Sequence, residues 1–564
     1  MASTWKDVAS RKKEQRQARI PRDWLLRESA PTDNVLDIPR NCGILTDIEL
    51  DITTSDATTL LDRLAAGNVS SEDVTRAFCK RAAIAQQLTN CLTEIFFEQG
   101  IARAKQLDDH LRRYGKPYGP LHGLPISLKD SFKVEGYDAC LGVASLCFQP
   151  STTNSALVDL LLTLGAVLYC KTNIPQTLSS LDSHNNIFGR TLNPINRYLT
   201  AGGSSGGEGA LVAMHGSPLG IGTDVGGSIR VPAMCNGLIG VKPSHGRIPY
   251  AGQQSGPKDG SSKISIEATA GPIARSVRDC ALFLRIIADN SPNLVDPDVF
   301  AQTWQQQQNP STSSISNTRR TLRVGVVRTD GHVSPLPPIK RLMDEVVGKL
   351  KSHVELVEVD ATPLLRQCVK AFNGIVSIDG GNAWFDHLES TGEPLSPWLQ
   401  GRLKRRAAKP VDDILKLQAQ RTALQAKFLA VWQQTGGYWR SASSRSPQLD
   451  VLISHAAPHP VPPIDRWNTV NYTAAWNLLD YPTGIVPVRA MTDQDLVGEI
   501  DDKPLNGWDE VNQKLWTETD RKVYVGSPLS LQIAAPRLQE RVLLESMAII
   551  SDALRRPSPS SSKL

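Results

Sequence analysis

Apolar and polar positions in this chain switch repeatedly between a helical and a strand-like period, and the switching predicts a series of helices, strands and glycine-bearing turns. Helices are expected over 58–66, 71–85 and 101–114; Ser70-Ser71-Glu72-Asp73 offers the second an N-cap with early acids, and Gly115-Lys116-Pro117 ends the third. Leu124 to Leu128 is mostly apolar and suits a short buried strand, with Lys129 at its end. A helix over 155–164 leads through Gly165 into the apolar strand Ala166-Val167-Leu168-Tyr169. Gly271-Pro272-Ile273-Ala274-Arg275 is expected to open a helix reaching Leu284. Strands over 322–327 and 354–359 flank a helix over 339–350, and a long helix over 414–432 precedes a strand over 450–454. Tyr472 to Leu479 and Tyr524 to Ile533 complete the core, before a last helix near 540–554. Residues 253–263 read as a loop, and 384–409 are less regular, as expected of the entrance to a binding site.

This order indicates an α/β chain. The 564 residues allow several domains. The expectation is one large domain over 51–554, with its densest motifs at about 121–284. An N-terminal helical arm, 1–50, precedes it, and a flexible tail, 555–564, follows. Within the arm, Trp5 to Trp24 forms a basic amphipathic pattern limited by Pro21; Asp7 and Glu14 argue against an organellar presequence and for an arm packed on the core. The Gln- and Ser-rich stretch 303–317 reads as a disordered loop. A net charge of +5 is too small in a chain of this length to indicate nucleic-acid binding. The longest apolar candidate, 156–169, is too short for a membrane span and contains Asp159, and the polar, basic start does not resemble a secretory signal. The nine cysteines contain no C-x-x-C pair and are expected as reduced thiols. His455 and His459 have a helical ligand spacing, but Pro458 and Pro460 oppose a helix there, so neither a metal nor a cofactor is expected.

Reactive chemistry concentrates between Gly202 and Arg230, where Ser204 and Ser228 each sit among glycines. Glycine clusters let backbone approach a ligand and present N–H groups to an anion, so a serine in such a cluster is a candidate oxygen nucleophile beside an oxyanion site. The stretch lacks the Lys-Ser or Lys-Thr of a phosphate-binding loop, and its glycine spacing misses the dinucleotide fingerprint. Gly202 to Gly206 fits the short G-x-S-x-G pattern around Ser204, and Ser205 fits it between Gly203 and Gly207. A solvated linker is disfavoured by the apolar run 210–214. The serine needs a base, and Lys129 qualifies if burial lowers its pKa; a strand-end lysine that reaches water is the bland alternative.

The segments Gly123-Leu124-Pro125-Ile126-Ser127-Leu128-Lys129-Asp130, Gly202 to Gly207 and Gly222-Thr223-Asp224-Val225-Gly226-Gly227-Ser228-Ile229-Arg230 together resemble the amidase signature family in order and spacing. The start of the chain, with Ile20-Pro21 and Trp24, is similar to the fungal acetamidase-type branch. The resemblance implies a twisted mixed β-sheet flanked by helices on both faces and a Ser–Ser–Lys triad. In that triad Ser228 is the acyl-accepting nucleophile, Ser204 the bridging serine behind a cis Gly203–Ser204 peptide, and Lys129 the general base. It also implies an oxyanion hole made by the N–H groups of Val225, Gly226, Gly227 and Ser228, and a position lining the acyl site at Leu178, as in fatty acid amide hydrolases. Asp224 and Arg230 are read as braces of the nucleophile loop, with a plain surface ion pair as the equal alternative.

The activity so implied is hydrolysis of a small-molecule amide to a carboxylate and ammonia or an amine, without a cofactor. A homodimer is compatible with the sequence. One rival is an α/β-hydrolase-type esterase using Ser204 or Ser205 with a distant histidine such as His455; another is a transamidase-like subunit, which needs partner subunits. The terminal Ser562-Lys563-Leu564 is a peroxisomal address, implying an import receptor as a partner, with a cytoplasmic location as the alternative.

Overall fold

The run at Pro125–Lys129 is a strand without an exposed residue, and the sheet extends to both sides of it. The computed structural model describes residues 4–27, 33–256, 260, 263–307, 321–433, 448–466 and 471–556. In chain order its strands are β1 (Leu92–Ile95), β2 (Pro125–Lys129), β3 (Val167–Thr172), β4 (His184–Asn185), β5 (Gly189–Arg190), β6 (Leu219–Asp224), β7 (Ile239–Lys242), β8 (Thr269–Ala274), β9 (Arg323–Val327), β10 (Glu355–Glu358), β11 (Val451–His455), β12 (Thr483–Ala490) and β13 (Pro528–Ala534). Strands β4 and β5 form a separate small hairpin, and the others form one 11-stranded sheet in the order β1-β3-β2-β6-β8-β7-β12-β13-β11-β9-β10. Pairs β2–β3 and β2–β6 are parallel, as are β11–β9 and β9–β10. From β6 through β8, β7, β12 and β13 to β11 the pairing is antiparallel. The result is a single large α/β domain with a mixed sheet flanked by helices.

Local chemistry explains the boundaries. Helix Ser71–Thr89 starts where the Ser70 side chain accepts the Asp73 N–H, and helix Phe97–Tyr114 stops at Gly115, whose φ of 64° suits glycine. Strand β6 escapes a pattern search because Gly220 and Gly222 interrupt its apolar run. The glycines are needed for close approach: a Cβ on Gly220 would fall 2.1 Å from Glu208 Oε2, and one on Gly222 2.9 Å from Ser205 Oγ.

The segment Gly271 to Ala274 corrects the sequence expectation: it belongs to β8, not to a helix. Its neighbours β6 and β7 enclose it so tightly that a Cβ on Gly271 would meet the Val241 carbonyl oxygen at 2.1 Å. The helix begins only at Val277, where Ser276 caps it by accepting the Asp279 N–H at 3.1 Å. Tyr524 likewise ends a short 3-10 turn, and its strand begins at Pro528.

The amphipathic start forms helix Trp5–Ala18, followed by a 3-10 turn at Arg22–Trp24. Val8 and Ala9 pack against Cys140 and Phe188. Lys12, only 2% exposed, pairs with Glu94 and, at 2.6 Å, with Asp138. Glu94, Asp138 and Cys140 could otherwise hold a cation, but the ammonium of Lys12 already stands against both carboxylates. Of the loop expected at 303–317, residues 303–307 are described and carry a 3-10 turn at Gln305–Gln307. Residues 308–317, like the tail 557–564 with Ser562-Lys563-Leu564, lie outside the described residues. Among the described residues no helix is long and apolar enough to cross a membrane.

Candidate active site

Strands β2 and β6 lie side by side in parallel, so the end of β2 brings Lys129 next to Thr223 near the end of β6. Helix Gly206–Ala213 packs over both strands, and its N-terminal approach carries Ser204 to the same point. Lys129 Nζ lies 2.7 Å from Ser204 Oγ and 2.7 Å from Thr223 Oγ1, while the Thr223 carbonyl oxygen accepts from it at 3.4 Å. The lysine does not reach water: it is 0% exposed. Burial disfavours the ammonium and lowers its pKa from the ordinary 10.5 to about 7, against the opposing pull of Asp224, Glu208 and Asp130. Thr223 was not singled out from the sequence, although it stands in the Gly222-Thr223-Asp224 segment that drew attention to the site.

The Gly203–Ser204 peptide is cis. The Ser205 N–H donates to the Ser228 carbonyl oxygen at 3.1 Å, tying the two glycine-framed serine segments together. Ser205 itself is fully buried, its hydroxyl against the Thr223 backbone at 3.4 Å. Ser228, by contrast, is half-buried and lines a cavity of about 720 Å³. Leu178, Val225 and Gly226 line the same cavity. Leu178 at the cavity wall and the buried Thr177 before it both have a φ of 61°, an uncommon backbone conformation for such side chains.

Asp224 and Arg230 are a buried bracket rather than a surface pair, both side chains being 0% exposed. Asp224 accepts the N–H of Gly227 at 2.8 Å and that of Ile229 at 3.1 Å, and both of its oxygens receive Arg230. Arg230 also donates to the Thr473 carbonyl oxygen and to Gln532 Oε1, each at 3.0 Å. Burial alone would raise the Asp224 pKa, but the guanidinium reverses this and holds it well below the usual carboxylate range. The structure therefore departs from the four-donor expectation at Gly227. Its N–H is already given to Asp224, which leaves Val225, Gly226 and Ser228 as the loop residues facing the cavity.

Behind the lysine, Glu208 is buried in helix Gly206–Ala213. It accepts hydrogen bonds from Ser127 Oγ at 2.5 Å and Thr172 Oγ1 at 2.8 Å, and burial raises its pKa to about 8. His455 does not join the site: its ring packs 6.2 Å from that of Tyr472, and burial lowers its pKa to about 4. His459 instead bonds the Pro460 carbonyl oxygen at 2.8 Å. The esterase arrangement is thus not favoured. Phe372 and Trp508, which sequence reasoning missed, come from distant segments to line the cavity; no local pattern marks them.

A sequence model of the amidase family matches residues 73–544. An acetamidase of Aspergillus oryzae is 36% identical over 543 residues, covering 96% of this chain and 97% of the relative. An acetamidase of Emericella nidulans is 35% identical over 543 residues, covering 96% of each. Among solved structures, a fatty acid amide hydrolase superposes with a TM-score of 0.85 at 31% identity, over 97% of this chain and 95% of its own.

Proposed function

The chain belongs to the amidase family, and on that premise we propose that it hydrolyses a carboxylic amide through an acyl-enzyme on Ser228. The observation that carries this reading is the buried Lys129 amine, with its lowered pKa, 2.7 Å from Ser204 Oγ beside the cavity that Ser228 lines. As a free amine, Lys129 takes a proton from Ser204, which takes one from Ser228 as its Oγ attacks the amide carbon. In this reading the N–H groups of Val225, Gly226 and Ser228, residues that line the cavity, receive the negative oxygen of the tetrahedral adduct. Returning a proton along the same route to the amide nitrogen breaks the C–N bond and releases ammonia or an amine. Water then attacks the acyl ester by the same relay and yields the carboxylate. Asp224 contributes by holding the loop, with Gly227 and Ile229 as its attachment points. Leu178 forms part of the wall that receives the substrate.

A fluorophosphonate should label Ser228, and Ser228→Ala should lose both the label and roughly a thousand-fold or more of the amidase activity. An adduct mapped to Ser205, or full activity in Ser228→Ala, would overturn the assignment.

A further inference from the structure

The cavity is much larger than a short acyl amide needs; its size is that of sites that enclose a drug-sized ligand. Beside Ser228, Phe372 stands against the nucleophile loop, where a Cβ on Gly226 would fall 3.0 Å from its ring, and Leu178 and Val225 add apolar lining. Three tryptophans, Trp384, Trp398 and Trp508, add aromatic surface; Trp384 is buried and Trp508 is 40% exposed, so this surface runs from the interior to water. The stretch from 402 to 406, joined to the chain beyond helix Thr362–Val376 by the Arg406 N–H donated to the Gly380 carbonyl oxygen at 3.0 Å, supplies Arg402, Lys404 and Arg406 to the lining; among the described residues the acidic lining residue is Asp379. The Asp379 carboxylate also accepts the Gly381 N–H at 2.9 Å. Among the described residues, no carboxylate forms an ion pair with Lys404 or Arg406. Arg402 lies flat enough on Trp398 to place its guanidinium carbon 4.8 Å from the ring centroid, which fixes one cation at the aromatic wall. Its neighbour Arg405 instead turns to Asp386 and Glu389 on helix Asn382–Glu389, away from the lining.

We propose that the preferred substrate is an amide whose apolar or aromatic body carries an anionic group, a carboxylate, at the end far from the scissile bond. The body lies along the tryptophan-lined wall and the carboxylate meets Arg402, Lys404 and Arg406. This inference rests on the amidase reading of Ser228 and adds the chemistry of the distal group. Guanidinium groups recognise carboxylates through paired N–H donors. The carboxylate can belong to the acyl side, as in a dicarboxylic monoamide, or to the amine side, as in an N-acyl amino acid.

The test compares two graded series with uncharged amides of matching length: ω-carboxylated alkyl amides, and N-acyl ω-amino acids. At low salt, kcat/KM should favour the carboxylated member by on the order of tenfold at the best length, in one series or both. The advantage should shrink as ionic strength rises. The double variant Arg402→Gln with Arg406→Gln should bring the ratio towards one. Ratios of one or less at every length in both series, in enzyme whose Ser228 is labelled by a fluorophosphonate, would overturn the proposal and leave the amidase reading standing. Failure of that labelling would instead remove the reading on which it rests.

Discussion

Lys129 shows how one residue's chemistry is set by its surroundings. Its strand leaves it no path to water, and both hydroxyls at 2.7 Å can bond a neutral amine. Because the neutral amine is the competent form, the rate on an uncharged amide should rise with pH through about 7 and then level off. A profile that falls over that range would contradict the role of Lys129. The same group leaves a mark on stability. Its folded pKa of about 7 lies below the ordinary 10.5, so between these values the unfolded chain binds more protons. The contribution of Lys129 to stability therefore becomes more favourable as pH rises from about 7 to 10.5. Glu208, raised from 4.5 to about 8, acts with the opposite slope at lower pH, so the informative quantity is the difference from Lys129→Met. That variant should lose activity and also lose the upward slope in denaturation midpoint across the alkaline window.

At the scale of elements, the loop after β6 is held from both sides. Asp224 grips its backbone, and Thr473 of helix Asn471–Leu478 donates through Oγ1 to the Gly226 carbonyl oxygen at 2.5 Å. Gly227 has a φ of 134°, and a Cβ there would fall 2.5 Å from Thr473 Oγ1. Gly227→Ala should therefore cost roughly 1–3 kcal/mol in stability and slow fluorophosphonate labelling of Ser228. Labelling at the wild-type rate would show that the loop does not need this conformation. The glycine-framed serines were legible because their segments depart in composition from ordinary strand or helix, whereas Lys129, at the end of an ordinary apolar strand, stood out only through the resemblance to the amidase signature family. Strand β8 was misread for the opposite reason: Gly271 and Pro272 look like turn chemistry, and only their enclosure by β6 and β7 makes them a strand. For Asp224 and Arg230 the sequence left a loop brace and a surface ion pair equally open, and what decides between them, the burial of the pair and the partners Thr473, Asn477 and Gln532 from the far end of the chain, has no local signal.

At the scale of the whole molecule, the N-terminal helix closes over the sheet edge at β1. Lys12 and Arg19 reach Glu94, and Arg16 donates to the Leu92 carbonyl oxygen at 2.7 Å. Basic residues that suggested an amphipathic surface in the sequence are thus partly interior. Lys12→Met should leave Asp138 and Glu94 short of a buried cation and destabilise the protein by about 3 kcal/mol, read as a lower denaturation midpoint. An unchanged midpoint would mean that the Lys12 ion pairs contribute nothing to global stability. The α/β class and the position of the reactive centre follow from local patterns, but the cavity does not, because its wall gathers side chains at 178, 225, 372, 398 and 508. This division of labour has an evolutionary corollary. Most of that wall stands on segments other than β2 and β6, Phe372 and Trp508 on helices of their own, so its side chains can be exchanged piece by piece without disturbing proton traffic. Sister enzymes could thus diverge in diet while keeping the same engine.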